Sequence, residues 1–351
     1  MLGALIGLVV AACAPSSAPS GEPSAQALPS ETVAPASPAP SLAPSASSSP
    51  PRTMPPEAAR AERGVFPDGV ADTILRRGEP PRIQLDDPGR EPREVLVYAL
   101  APSTSQAVTM RMDLALAVAG EASPTTVQFP TIALTLALAT SSRESAAGEA
   151  LVEGTLREVR IEPRDERSRA LAAPLERQLR ALRGARLAYR MSPQGRARGL
   201  ELTPASDAPT DAADLIARMK GSFESMVAPL PDAPIGLGAR WTVTSRSGGH
   251  ADLVQWTTYT LRARDGSRFT VDTEVAQIAA GRTVAGGALP PGTEATIASF
   301  DARGSATTTL DLRGLLPERG QGTIETSMTI RALGSLGETK TNVTVAFEPA
   351  R

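Results

Sequence analysis

The chain has 351 residues, 36 lysines and arginines against 38 aspartates and glutamates, one histidine and one cysteine. The balance of −2, with both signs interspersed, argues against a nucleic-acid partner, which needs a basic stripe. A lone cysteine excludes disulfides and thiolate metal sites, so the folded part holds together by burial.

The first twelve residues, Met1 to Ala12, form an apolar run too short for a membrane-spanning helix, which needs roughly 20 apolar residues. Its length and small-residue ending fit a secretory signal, whose apolar region is roughly 7–15 residues long. The last positions, Val10-Ala11-Ala12-Cys13, resemble a bacterial lipobox. The resemblance implies that residues 1–12 are removed as a signal peptide and that Cys13 is acylated. The chain would then be anchored to a membrane, each buried CH₂ of an acyl chain contributing about 0.8 kcal/mol. No Lys or Arg precedes the run, so either the α-amino group of Met1 acts alone or translation starts upstream. A buried apolar segment with a chance cysteine is the competing reading, and the Pro/Ser tract that follows at once weighs against it. The expected location is a bacterial cell envelope. Ala14 stands where some lipoproteins carry an acidic residue that retains them at the inner membrane, which tilts the expectation to the outer membrane, facing the periplasm or the cell surface.

Residues 13–55 combine the lipidated cysteine with an Ala/Pro/Ser tract that has too little apolar bulk to offset the entropy of ordering. It reads as a disordered tether, reaching on the order of 100 Å if fully extended as polyproline II. A glycosylated Ser/Pro stalk has the same composition.

Residues 56–351 read as one β-rich globular domain, with a two-part organisation, 56–205 and 232–351, as the variant. Period two dominates. Val108, Met110, Met112, Leu114, Leu116 and Val118 alternate with polar or small residues, the pattern of a strand buried on one side. Val127 and Phe129 lie on one parity and Ile132, Leu134, Leu136 and Leu138 on the other, with Pro130 at the switch, which predicts a bulge or an edge. Similar runs place Phe269, Val271 and Val275 on one face, then Ile324, Met328 and Ile330, then Val343, Val345 and Phe347. Turn signals at Ser192–Gly195 and Ala263–Gly266 separate them.

Two amphipathic helices are expected. The first spans about 174–183, with Pro174 in its first turn, a stripe of Leu175, Leu179 and Leu182, outward Arg177, Arg180 and Arg183, and Gly184 at its end. The second spans about 211–227, where Leu215, Met219, Phe223 and Met226 share a face. A membrane surface is the other home for such helices, but the second has only Arg218 and Lys220 as cations, which favours packing on the sheet. The expected fold is α+β and mostly β: a large curved antiparallel sheet, half-barrel-like, of about ten long strands packed by these two helices.

A Pro-rich stretch, Pro234, Gly236, Gly238 and Trp241, follows the second helix in the pattern P-x-G-x-G-x-x-W and opens a strand. Without a following helix or a Lys-Ser/Thr it is a turn over a buried tryptophan rather than a phosphate loop. With its flanks, roughly Asp211 to Phe347, it resembles an uncharacterised family of bacterial lipoproteins of unknown function. The architecture is more loosely similar to the LolA/LppX-like lipoprotein carriers, whose half-barrels hold acyl chains between sheet and helices. Neither likeness supplies catalytic residues.

Motifs for chemistry are missing. His250 follows two glycines in a hairpin and reads as exposed and idle rather than as part of a triad. There is no Gly-x-Ser-x-Gly and no His-Glu-x-x-His. Asp86-Asp87 before Pro88-Gly89 read as turn residues, and Asp311 and Glu325 sit on polar strand parities. Aromatics make up 3% of the chain, too few for carbohydrate stacking platforms. The chain therefore reads as non-enzymatic, with no metal and no cofactor. Two roles stay open: binding an apolar ligand or lipid between sheet and helices, lined by Leu215, Met219, Phe223 and Met226, or acting as a structural or protein-interaction lipoprotein of the envelope with a dry core. An enzyme with dispersed carboxylates is the third and weakest.

Overall fold

The computed structural model describes residues 55–119, 125–141, 148–206, 208, 227–247, 251–284, 295–332 and 335–350. Among them lie thirteen strands: β1 (Arg82–Asp87), β2 (Ser105–Val118), β3 (Thr125–Gln128), β4 (Thr131–Thr140), β5 (Ala150–Glu162), β6 (Arg186–Met191), β7 (Ala197–Thr203), β8 (Arg240–Ser247), β9 (Leu253–Asp265), β10 (Arg268–Ala279), β11 (Ala295–Asp311), β12 (Arg319–Ala332) and β13 (Ser335–Pro349). Two α-helices join them, α1 (Val70–Ile74) and α2 (Glu166–Leu179).

All the strands belong to one antiparallel sheet in the order β1-β8-β9-β10-β11-β12-β13-β2-β4-β5-β6-β7, with β3 beside β2. The ends, β1 and β7, do not pair, so the sheet stays open. It is nonetheless strongly curled. The neighbours Pro229 and Leu230 reach both sides of it: Trp241 of β8 donates its Nε1–H to the Pro229 carbonyl at 2.8 Å, and the Leu230 N–H bonds to Gln194, in the β6–β7 turn, at 2.8 Å. A flat sheet would hold β8 and β6 roughly 40 Å apart. Curvature brings them to adjacent residues and wraps one apolar face into a continuous core that reaches every strand.

The period-two residues fill that core. Val108, Met110, Met112 and Leu114 of β2 are buried, as are Ile132, Leu134, Leu136 and Leu138 of β4 and Val343, Val345 and Phe347 of β13. The alternation in β2 fades at its far end, where Val118 is exposed. Pro130 does re-phase the face. β3 and β4 pair with the same side of β2, Gln128 opposite Ala115 and Ile132 opposite Met112, so one extra residue is accommodated around it. Proline lacks the N–H that a regular ladder would need there.

The first helix corrects the sequence reading. It starts at Glu166 rather than near Pro174, runs to Leu179 and ends in a 3₁₀ turn, Arg180–Leu182. The overlooked signal is its cap. Asp165 accepts from the Ser168 N–H at 2.7 Å, and the Ser168 hydroxyl accepts from the Asp165 N–H at 2.9 Å, satisfying two orphan donors. Pro174 sits in mid-helix on the exposed side, where the helical bond it cannot make faces water. Leu175, Leu179 and Leu182 enter the core as expected. The second expected helix lies outside the described residues, apart from the buried Val227.

An N-terminal strap, residues 55–79, packs on the outer face of β9 and β10. It also enters the sheet. The β10–β11 ladder ends at Gln277–Ala302, and beyond it Arg63–Phe66 are wedged between the two strands. Phe66 donates to Ala279 at 2.9 Å, Ala279 donates to Gly64 at 3.0 Å, and Phe300 donates to Arg63 at 3.0 Å. Val65 joins an inner cluster with Ala279, Ile297, Phe300 and Ala302, while Phe66 packs outside against Trp256, Val254 and Ile278.

Candidate functional site

One end of the curled sheet is plugged by crossing segments. Residues 88–104 and 227–239 run over it, bridged by Glu94 and Ile235. Tyr98 is their hub. Its N–H bonds to Pro193, its hydroxyl donates to the Ala228 carbonyl at 3.1 Å, and its ring meets Phe269 edge-on at 6.3 Å. Burial pushes its phenol well above the ordinary value, so it is neutral at physiological pH. The Pro234–Trp241 stretch belongs to this plug. Gly236 lies so close to the 88–94 segment that a Cβ would stand 1.8 Å from the Arg90 carbonyl oxygen. Gly238 donates to Leu261, and Trp241, fully buried, stacks on Tyr259 at 5.4 Å. These residues hold backbone segments together and present no reactive group.

The interior changes character towards the other end. Gln255, Gln277, Ala302, Thr326 and Thr341 face each other in register on β9 to β13, forming one cross-strand row on the inner face. All five are buried, Gln277 to 2% exposure. This polar row separates the main core from the inner cluster around Val65 and Phe300. Its hydrogen bonds run one way. Gln277 donates through Nε2 to Gln255 Oε1 at 2.7 Å, and Gln255 donates through Nε2 to the Thr257 hydroxyl at 2.9 Å. At the head of the chain, Gln277 Oε1 accepts nothing, and Thr326 Oγ1, across Ala302, has no partner either. A buried polar atom without a partner costs about 1–3 kcal/mol. The adjoining rows are Thr257, Val275, Gly304, Ile324 and Val343 on one side and Phe300, Met328 and Thr339 on the other, none of them ionisable.

Charge gathers outside. Arg246, only 7% exposed, is held by Asp252 and Asp72 and donates to the Leu75 carbonyl at 2.9 Å, while Arg77 pairs with Asp252 at 2.8 Å. Burial raises the Asp252 carboxyl, but hydrogen bonds from Arg246 and Arg77 outweigh it and hold the group below the ordinary carboxylate range. This network clamps the strap to β8 and β9. A groove of about 610 Å³ lies on the outer face across β2, β4, β5, β6 and β7. Ala107, Ala137, Ala139 and Ala188 line it, with Glu153, Arg157, Arg186 and Glu201, which make no ion pair among the described residues.

Several sequence-derived residues, namely Cys13, Leu215, Met219, Phe223, Met226 and His250, lie outside the described residues. Asp87 accepts from the Gly89 N–H at 2.8 Å, the turn chemistry expected of it. Asp311 likewise caps its own turn through the Arg313 N–H at 2.8 Å. Glu325 is exposed on β12. Among the described residues no three His, Cys, Asp or Glu side chains cluster to hold a metal, and no helix is long and apolar enough to cross a membrane. The sequence reading missed Gln255, Gln277 and Thr326; the clearest signal was Gln277, which falls on the same parity as Phe269, Val271 and Val275. No family model matches the chain, and no curated protein matches it.

Proposed function

We propose that this chain is a lipid-anchored, non-enzymatic binding protein of the bacterial cell envelope, and that it holds a ligand with an apolar body against the inner face of its curled sheet. The observation that carries this reading is the inner face itself. It is mostly apolar from β1 to β7, with scattered buried threonines and one buried polar row, and two atoms within that row have nothing to bond. Cys13, behind a lipobox-like run, supplies the anchor, and the Ala/Pro/Ser tract the tether. The test is native mass spectrometry of the full chain carrying Cys13→Ser, purified without detergent, followed by lipid extraction. A one-to-one apolar adduct is expected; a clean apo mass, unchanged by added lipids, overturns the reading.

A second reading, a protein-interaction lipoprotein, draws on the outer groove. Its alanines are ringed by four charges of both signs that make no ion pair among the described residues, the pattern of a mixed-charge protein contact. A photo-crosslinker placed at Ala188 in intact envelopes should then give a discrete adduct that charge reversal at Arg157 and Arg186 removes. An adduct pattern indifferent to that reversal rules the reading out.

A further inference from the structure

The polarity of the buried hydrogen-bond chain restricts what the inner face accepts. Each glutamine amide spends a donor towards Thr257: Gln277 on Gln255, and Gln255 on the Thr257 hydroxyl. The chain therefore ends in an acceptor, Gln277 Oε1, which calls for an N–H or O–H from outside the row. The Thr326 hydroxyl stands two strands away, roughly 9–10 Å by backbone spacing. It also lacks a partner and is free to donate or accept. The residue between them is Ala302, with Gly304 next to it on β11; Ile324 stands next to Thr326 on β12, and the small inward positions Ala306, Gly320 and Gly322 lie farther along the two strands. Among the described residues, no inward position of this row or of the rows beside it on β9 to β13 is ionisable. A charged head group placed here would lose its hydration with nothing to compensate it.

We propose that the ligand is an uncharged amphiphile with a hydroxyl-bearing head, such as a monoacylglycerol, whose O–H donates to Gln277 Oε1 and whose head also bonds Thr326, with its chain along the small-residue wall of β11 and β12. This rests on the apolar-ligand reading above and adds the chemistry of the head. Fatty acids and phospholipids are disfavoured by their charge.

The test uses the full chain carrying Cys13→Ser, titrated below micellar concentrations with monooleoylglycerol, methyl oleate and oleate and read by native mass spectrometry. One monooleoylglycerol per chain is expected, bound at least tenfold more tightly than methyl oleate, which has the same chain and no donor, with oleate weakest at pH 8. Gln277→Leu should erase the preference for monooleoylglycerol over methyl oleate. Thr326→Val, the milder substitution, should narrow the preference and serves if the leucine variant fails to melt cooperatively. Equal binding of glycerol and methyl esters, tight oleate binding, or a preference that survives both variants overturns the neutral-head proposal while leaving an apolar-ligand protein. No binding of any probe, the result expected if the unpartnered atoms hold water only, overturns both.

Discussion

Gly64 sits in the wedge with φ of 75°, and an ideal Cβ there would stand 1.6 Å from the Phe300 carbonyl oxygen. Gly64→Ala should therefore cost at least about 2 kcal/mol, because the strap must leave the gap or the strands must part. Gly69 has a similar φ of 79° but open space around it, and its alanine variant should cost only about 1 kcal/mol. Urea denaturation midpoints of the two variants check the difference; equal losses would mean that the wedge is not tight. Tyr98→Phe keeps the ring against Phe269 and leaves the Ala228 carbonyl without its donor, for an expected loss of about 1–2 kcal/mol. At this scale the sequence was uneven. A tryptophan after a Gly-x-Gly turn announces burial, and Trp241 is buried. Gln277 shares the parity of Phe269, Val271 and Val275, yet a glutamine in a strand is solvated by default and so is easily passed over.

The strap is the element whose attachment depends most on charge. Asp252 has a folded pKa below its unfolded one, so its contribution to holding the strap is complete above about pH 4 and is lost as pH falls through the depressed value. Acidification below about pH 4 should expose Trp256 before the core opens, seen as a shift in tryptophan emission and as early proteolysis between residues 60 and 80; Asp252→Asn should produce the same loosening at neutral pH. A strap that stays protected to the global acid transition would contradict this. The same outer-face packing explains which strands the sequence concealed. In β9, Val254 and Trp256 face outward under the strap while Gln255 and Thr257 face inward, so neither parity reads as apolar. In β11 the middle of the inner face is built from Ala302, Gly304, Ala306 and Thr308, too small to register as a hydrophobic stripe. Strands β2, β4 and β13, with one large apolar face, were legible throughout. The start of α2 was hidden because its cap lies nine residues before the proline that drew the boundary.

At the scale of the molecule, one sheet and one continuous core join residues 105–203 to residues 240–349 through the β13–β2 ladder, eleven residue pairs long, while β1 pairs directly with β8. A single calorimetric transition is expected for the folded part. Two resolved transitions would instead mean that the halves on either side of residues 206–231 unfold separately. The overall class, a mostly β chain with a large open antiparallel sheet, was legible from alternation alone. The strand order was not, because alternation states which face a residue takes and is silent on which neighbour it meets.

That order also sets a timetable for synthesis. The strand that completes β2 on one side is β13, more than 200 residues later in the chain. As the polypeptide emerges, β2 must wait with one edge unpaired and its valine, methionine and leucine face uncovered until almost everything else has been made. The nascent chain thus passes through a long aggregation-prone interval. Losing residues 335–349 to an early stop would not trim a margin; it would remove the middle of the sheet.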